Sequence, residues 1–130
     1  MASNDLVWEL TRANNSYLVS SKTAGGVQFS RDPLNLVNKH SYKYAGYANS
    51  KALGVSLNDK GAIVLSSKKG TTTFKPNKSQ RKVYLAVANA SKGYRDDLRK
   101  VAVARASALL ASKTPKKTFP KKVRGKKASE

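Results

Sequence analysis

Between Lys39 and Lys51 the sequence reads KHSYKYAGYANSK, three lysines interleaved with Tyr42, Tyr44 and Tyr47. Ammonium groups neutralise phosphates and aromatic rings stack on unpaired bases, so this pattern suits single-stranded nucleic acid. If the segment is a strand, Tyr42 and Tyr44 face one side and Lys43 the other. That geometry is equally met by a face that buries the tyrosines in a small core and leaves Lys43 in water. Lys39, Lys43 and Lys51 are therefore stronger candidates for polyanion contact than the rings.

A second basic group, Lys68, Lys69, Lys75, Lys78, Arg81 and Lys82, runs from a strand end through a polar loop into a helix start. Helix N-termini favour acids, so Arg81 and Lys82 oppose the dipole. A phosphate bound there would satisfy both the free N–H groups and the basic side chains. The alternative is a solvated face of a very basic protein. In the last helix Arg95, Arg99, Lys100 and Arg105 interrupt the apolar periodicity. Arginine presents a planar fork to phosphate, so this helix is expected to face protein on one side and RNA on the other. Beyond it, KTPKKTFPKKVRGKKAS adds Lys113, Lys116, Lys117, Lys121, Lys122 and Arg124 with hardly any apolar surface. Such a stretch is expected to be an intrinsically disordered tail that orders on RNA, with Pro115 and Pro120 favouring an extended path. Nothing in these groups reads a base sequence.

Catalytic chemistry finds little footing. The single His40 has no companion ligands, and a general base needs a poised partner, so it is read as structural or RNA-contacting. Asp96–Asp97 fits the start of a helix better than a catalytic pair. Gly25–Gly26 is too short for a phosphate-binding fingerprint. We expect no enzyme, no cofactor, no metal and no small-molecule substrate.

These side chains need a body to position them. Ser3 as N-cap and Asp5 in the first turn predict a helix from about Asn4 to Arg12, with Leu6, Val7 and Leu10 on one face. SYLVSS and VQFS flank the Gly25–Gly26 turn as short strands, and a single helical turn is expected at RDPLNL. SYKYAGY alternates as a strand would. ALGVSL–NDKG–AIVLSSK predicts a hairpin with Leu53, Val55, Leu57, Ile63 and Leu65 on one face. GTTTFKPNK reads as a loop. Ser79 then caps QRKVYLAVANASK, where Val83, Val87 and Ala90 align and Gly93 ends the helix. A last helix opens at Asp96 and Asp97 and ends before Pro115. Its face of Leu98, Ala102, Val103, Ala106, Leu109 and Leu110 permits close approach of a sheet or helix. The expected class is α+β: a small antiparallel β-sheet, a short N-terminal helix, two C-terminal helices and a basic extended tail. The body spans residues 1–112 and the tail residues 113–130.

Composition limits what this body can do. In 130 residues, 26 Lys and Arg face seven Asp and Glu, for a net charge of +19, which destabilises a free compact state and favours an anionic partner. The charge is uneven: residues 1–59 hold six basic and four acidic side chains, whereas residues 60–91 hold seven basic and none acidic. With no cysteine, a disulfide scaffold and thiolate zinc sites are excluded. The N-terminus lacks the pattern of a signal peptide and no apolar run is long enough for a membrane span, so an intracellular soluble protein is expected. No amphipathic helix pairs a lysine-rich face with a large aromatic one, which argues against a membrane surface.

YRDDLRKVAVARASALLASKTPKK, residues 94–117, resembles the eukaryote-specific ribosomal large-subunit protein family twenty-eight. DLVWELTRANNSYLVSSK, RDPLNLVNKHSYKYAGYANSKALGV and GAIVLSSKK agree with it in order. The resemblance implies a structural constituent of the cytosolic 60S subunit, contacting large-subunit ribosomal RNA and neighbouring 60S proteins, without a cofactor. It also implies passage through nucleus and nucleolus for assembly; runs such as PKKTFPKK suit a nuclear import receptor. The alternative is a nuclear ribosome-biogenesis factor with a related N-terminal domain. Members of that family extend further and bear cysteine motifs, which this chain lacks.

Overall fold

A computed structural model describes residues 1–23 and 25–120. Helix α1, Asn4–Thr11, starts where Ser3 Oγ accepts the Leu6 N–H at 3.2 Å. Its inward face is not the predicted leucine stripe. Leu6 and Leu10 are 50% and 74% exposed, and Val7, Trp8 and Thr11 turn inward instead. Trp8 sets that rotation: its ring lies 4.9 Å from His40, 5.9 Å from Tyr42 and 6.4 Å from Tyr47, and one large ring in an aromatic cluster outweighs two leucines.

Strands β1 (Leu18–Ser20) and β2 (Gln28–Ser30) form an antiparallel hairpin in register Leu18 to Ser30. The three-stranded sheet is separate, so the single sheet expected from the sequence is two. Strands β3 (Leu53–Leu57), β4 (Ile63–Ser67) and β5 (Gly70–Thr73) are antiparallel in that order. The predicted hairpin is β3–β4, with Leu57 opposite Ile63 and Val55 opposite Leu65. Strand β5 falls in the stretch read as a loop; its three threonines are β-branched and suit a pleated edge.

Residues 31–52 hold two corrections. RDPLNL is a β-turn closed by Asn35 N–H to the Asp32 carbonyl at 3.0 Å, not a helical turn. SYKYAGY is a run of turns, not a strand. Side chains there take over the backbone bonding that a ladder would supply. The buried Asp32 carboxylate accepts the N–H groups of Leu34 at 2.9 Å and Tyr47 at 3.0 Å. Asn49 Nδ2 donates to the carbonyls of Tyr42 at 2.7 Å and Ala45 at 2.8 Å. Gly46 lies so close to Leu34 that a Cβ would collide with its backbone carbonyl.

Helix α2 (Gln80–Ser91) ends at Gly93, whose φ of 71° is the left-handed conformation that stops helices. Its inward face is Val83, Val87 and Ser91, while Ala90 is exposed. A 3-10 turn, Asp96–Leu98, leads into α3, Arg99–Lys113. Ala102 and Ala106 are fully buried and let α3 sit against β3, β4 and α2. With Leu53, Val55, Ile63, Leu65, Val83, Val87 and Leu98 they form the core. The class is α+β.

Candidate nucleic-acid interface

Two loops bring four lysines to one end of the three-stranded sheet: Lys43 and Lys51 from the connection before β3, and Lys68 and Lys69 from the β4–β5 turn. The ammonium groups of Lys51 and Lys69 lie 5.9 Å and 5.7 Å from the centre of the Tyr94 ring. Lys68 Nζ donates to the carbonyl of Asn49. Lys43 and Lys51 are tied to the same place because Arg95 donates to both their carbonyls, at 3.1 Å and 2.9 Å. Lys43, Lys51, Lys68 and Lys69 are all exposed. Such a group repels itself in the free protein, and a phosphate chain would relieve that repulsion.

Arg95 makes the convergence possible and has little left for RNA. Besides the two carbonyls, its Nε and an Nη donate to both oxygens of Asp97 at 2.9 Å and 2.8 Å. The guanidinium beside Asp97 holds that carboxyl below its ordinary range, against the opposing effect of burial. Arg105 is likewise internal. Its Nε donates to Val55 O at 2.7 Å and an Nη to Leu36 O at 3.0 Å, and burial lowers its pKa. Both arginines, candidates for RNA contact on sequence grounds, hold loops on the body through these bonds. Type and spacing alone do not distinguish a guanidinium that bridges carbonyls from one that faces solvent.

The second basic group surrounds the start of α2. Lys75, Lys78, Arg81 and Lys82 are exposed, and Lys78 Nζ lies 5.1 Å from the Phe74 ring. Ser79 makes no side-chain cap and the first turn has no acid. The end of α3 comes alongside: Lys78, Ser79 and Gln80 share an open groove of about 350 Å³ with Leu110, Lys113 and Pro115. Lys116 and Lys117 continue from it, exposed and without regular structure. Arg99 and Lys100 line a shallow groove between α2 and α3 with Tyr84 and Val103. Lys39 lies apart, bridging Phe29 of β2 through its backbone. Lys121, Lys122 and Arg124 fall outside the described residues.

The rings of the 39–51 stretch are structural. Tyr42 and Tyr47 pack on Trp8, and Tyr44 packs on the core. The neighbouring Asp5 carboxylate raises the Tyr42 pKa. Tyr94, which sequence reasoning did not single out, is the ring over which two lysine ammonium groups lie, whereas Tyr44 and Phe74 each have one, Lys43 and Lys78. Its lysines arrive from distant loops; the local signal was an aromatic directly after the glycine that stops α2.

His40 donates from Nε2 to the Arg12 carbonyl at 2.7 Å, tying the end of α1 to the loop. Asp96 accepts the Gly93 N–H at 3.0 Å, so Asp96 and Asp97 organise the turn before α3 and do not face each other across a cleft. Among the described residues no group of three or more His, Asp or Glu is placed to hold a metal, and no helix is long and apolar enough to cross a membrane. The weakly charged half is different in character: Leu6, Leu10, Val27, Phe29 and Val37 are exposed there.

Residues 6–112 match the model of the Ribosomal L28e protein family. The chain is 43% identical to the large ribosomal subunit protein eL28 of Schizosaccharomyces pombe over 89% of its own length and 96% of that protein. It is 36% identical to the protein of the same name from Dictyostelium discoideum, over 79% of this chain and 83% of that one. With the Trypanosoma cruzi protein of that name the identity is 31%, over 80% and 73%.

Proposed function

Because the chain belongs to the Ribosomal L28e protein family, we propose that it is a structural constituent of the large ribosomal subunit, held on ribosomal RNA by its basic half. The observation that carries the mode of attachment is the pairing of Lys51 and Lys69 over Tyr94, beside the exposed Lys43 and Lys68 of the same two loops, in a chain of net charge +19. None of its relatives named above supports the assembly-factor alternative.

Attachment is electrostatic. The body is a rigid mount, and its exposed lysines and arginines displace counterions from crowded phosphates. Lys75, Lys78, Arg81, Lys82 and Lys113 form a second contact area at the open start of α2, and Arg99 a third. Lys39 makes a separate contact. The basic stretch from Lys113 onward, with Lys116, Lys117, Lys121, Lys122 and Arg124, acts as an arm that becomes protected from protease on RNA. The weakly charged half, with its exposed Leu6, Leu10, Val27, Phe29 and Val37, is where neighbouring 60S proteins sit. Residence is on cytosolic ribosomes, reached through the nucleus and nucleolus with an import receptor that reads the lysine-rich end.

Binding to a large-subunit ribosomal RNA fragment across a salt series tests this. With about eight phosphates neutralised, log affinity falls against log salt with a slope of about −6 to −7. A slope shallower than about −2 would contradict electrostatic attachment.

A further inference from the structure

The end of the sheet beside Tyr94 is not closed. A cavity of about 190 Å³ lies there, lined by Leu53, Leu65, Thr72, Gly70, Ala90 and Tyr94. The strand register explains the gap. Leu53 stands opposite Ser67 and Ser67 opposite Gly70, while Leu65 stands opposite Thr72, so the outer positions of the core-facing rows carry small side chains. Elsewhere those rows carry Val55, Leu57 and Ile63, which fill the space under the helices. A Cβ on Gly70 would meet nothing within 4 Å, and α2 contributes only Ala90. Interiors normally close such gaps, so an apolar cavity with one aromatic wall asks for a flat apolar guest.

The rim selects the guest. Lys51 and Lys69 hold their ammonium groups over the Tyr94 ring, while the Lys43 ammonium lies over Tyr44 and that of Lys68 on the Asn49 carbonyl. The adjoining carboxylates of Asp96 and Asp97 already accept from Gly93 and Arg95. An apolar protein side chain would gain nothing from the two ammonium groups over Tyr94. A nucleotide has both halves that the place offers to bind: a planar ring, and phosphates on either side of it. A base stacked inside a helix cannot enter, whereas one splayed from a loop or bulge can.

We propose that this cavity receives a single unpaired base of ribosomal RNA against Tyr94, with the flanking phosphates taken by Lys51 and Lys69. The inference rests on the reading of the chain as an RNA-anchored subunit constituent, and it adds a place where that RNA must be single-stranded.

The test uses the full chain and the variant Ala90→Leu, which fills the mouth from an exposed helical position and leaves every charge in place. Three probes are compared across a salt series: a short single-stranded RNA bearing 5-iodouridine, an abasic oligomer of equal length, and an RNA duplex. Ala90→Leu should bind the base-bearing strand roughly tenfold more weakly, as expected for loss of one stacked base. It should bind the abasic strand and the duplex as the parent does, with all salt slopes unchanged. Photo-crosslinking should mark the peptide holding Tyr94 in the parent and not in the variant. Unchanged affinity for the base-bearing strand, an equal loss on the abasic strand, or crosslinks confined to other peptides would overturn the pocket and leave electrostatic attachment standing. Shallow salt slopes for the parent on all three probes would instead overturn the attachment itself, and the pocket with it.

Discussion

Replacing Arg105 separates scaffold from interface in a single side chain. The pairing of Asn58 N–H with the Ala62 carbonyl sets the hydrogen-bond alternation along the β3–β4 hairpin. By that alternation the Val55 carbonyl points away from β4, on the open edge of the sheet. Arg105 reaches it at 2.7 Å and the Leu36 carbonyl at 3.0 Å, fastening α3 to the edge strand and to the loop before it. Each charge-assisted bond contributes about 1.5–3 kcal/mol, and partial exposure with relief of desolvation in the variant pulls the pair toward a net of about 2–3 kcal/mol. Arg105→Met keeps most of the aliphatic stem and removes both bonds. In urea, with a slope of about 1–3 kcal/mol per molar, its unfolding midpoint should fall by about 1–2 M at unchanged slope. Arg105→Lys, a single point donor, should fall between the two proteins. Neither change should alter the salt slope of RNA binding under conditions where the protein is folded. A midpoint within about 0.3 M of the parent, with a salt slope shallower by about 0.7–0.9, would refute this and return Arg105 to the RNA.

Changing Lys43, Lys51, Lys68 and Lys69 together to Gln should make the salt slope shallower by about 3, with little effect on the urea midpoint. An unchanged slope would mean that the RNA lies elsewhere. Asp97→Asn should lower stability at pH 7 by up to about 1 kcal/mol, since the Asp97 side chain is 43% exposed and the ion pair is partly screened. Because the folded pKa of Asp97 lies below its ordinary 3.8, that contribution is complete above 3.8 and is lost as pH falls through the folded value. Urea midpoints of parent and variant should therefore converge in acid; a gap that persists there would exclude the ion pair as its source. Gly46→Ala should cost about 1–3 kcal/mol, read as a lower midpoint, because its Cβ has no room beside Leu34. A neutral effect would show that the 41–50 turns can shift away from Leu34.

Where burial has a regular period, the chain is legible. Leu53, Val55, Ile63 and Leu65 declare the main hairpin, and Ala102 with Ala106 declares the close face of α3. What was not legible depended on side chains bonding to backbone far away or replacing a ladder. Asp32 and Asn49 hold residues 41–50 in turns, although the alternation of tyrosine with polar residues mimics a strand. Trp8 fixes the rotation of α1 through rings that lie beyond the helix, overriding the leucine stripe. The basic composition and the lysines of the loops could be read from the sequence as candidates. The roles of Arg95 and Arg105 could not, because a guanidinium is suited to a phosphate and to a pair of carbonyls alike. Tyr94 was hidden because its lysines, Lys51 and Lys69, come from two loops distant from it in sequence.

The central claim is that the basic half of this body, and not its weakly charged half, lies on ribosomal RNA in the large subunit. Crosslinking the protein to RNA within purified 60S subunits, and mapping the linked peptides, tests it most directly. We predict links at Lys43, Lys51, Lys68, Lys69 and Tyr94, at Lys75 to Lys82, and from Lys113 onward. Links confined to α1 and the β1–β2 hairpin, with the lysines around Tyr94 unmarked, would contradict it.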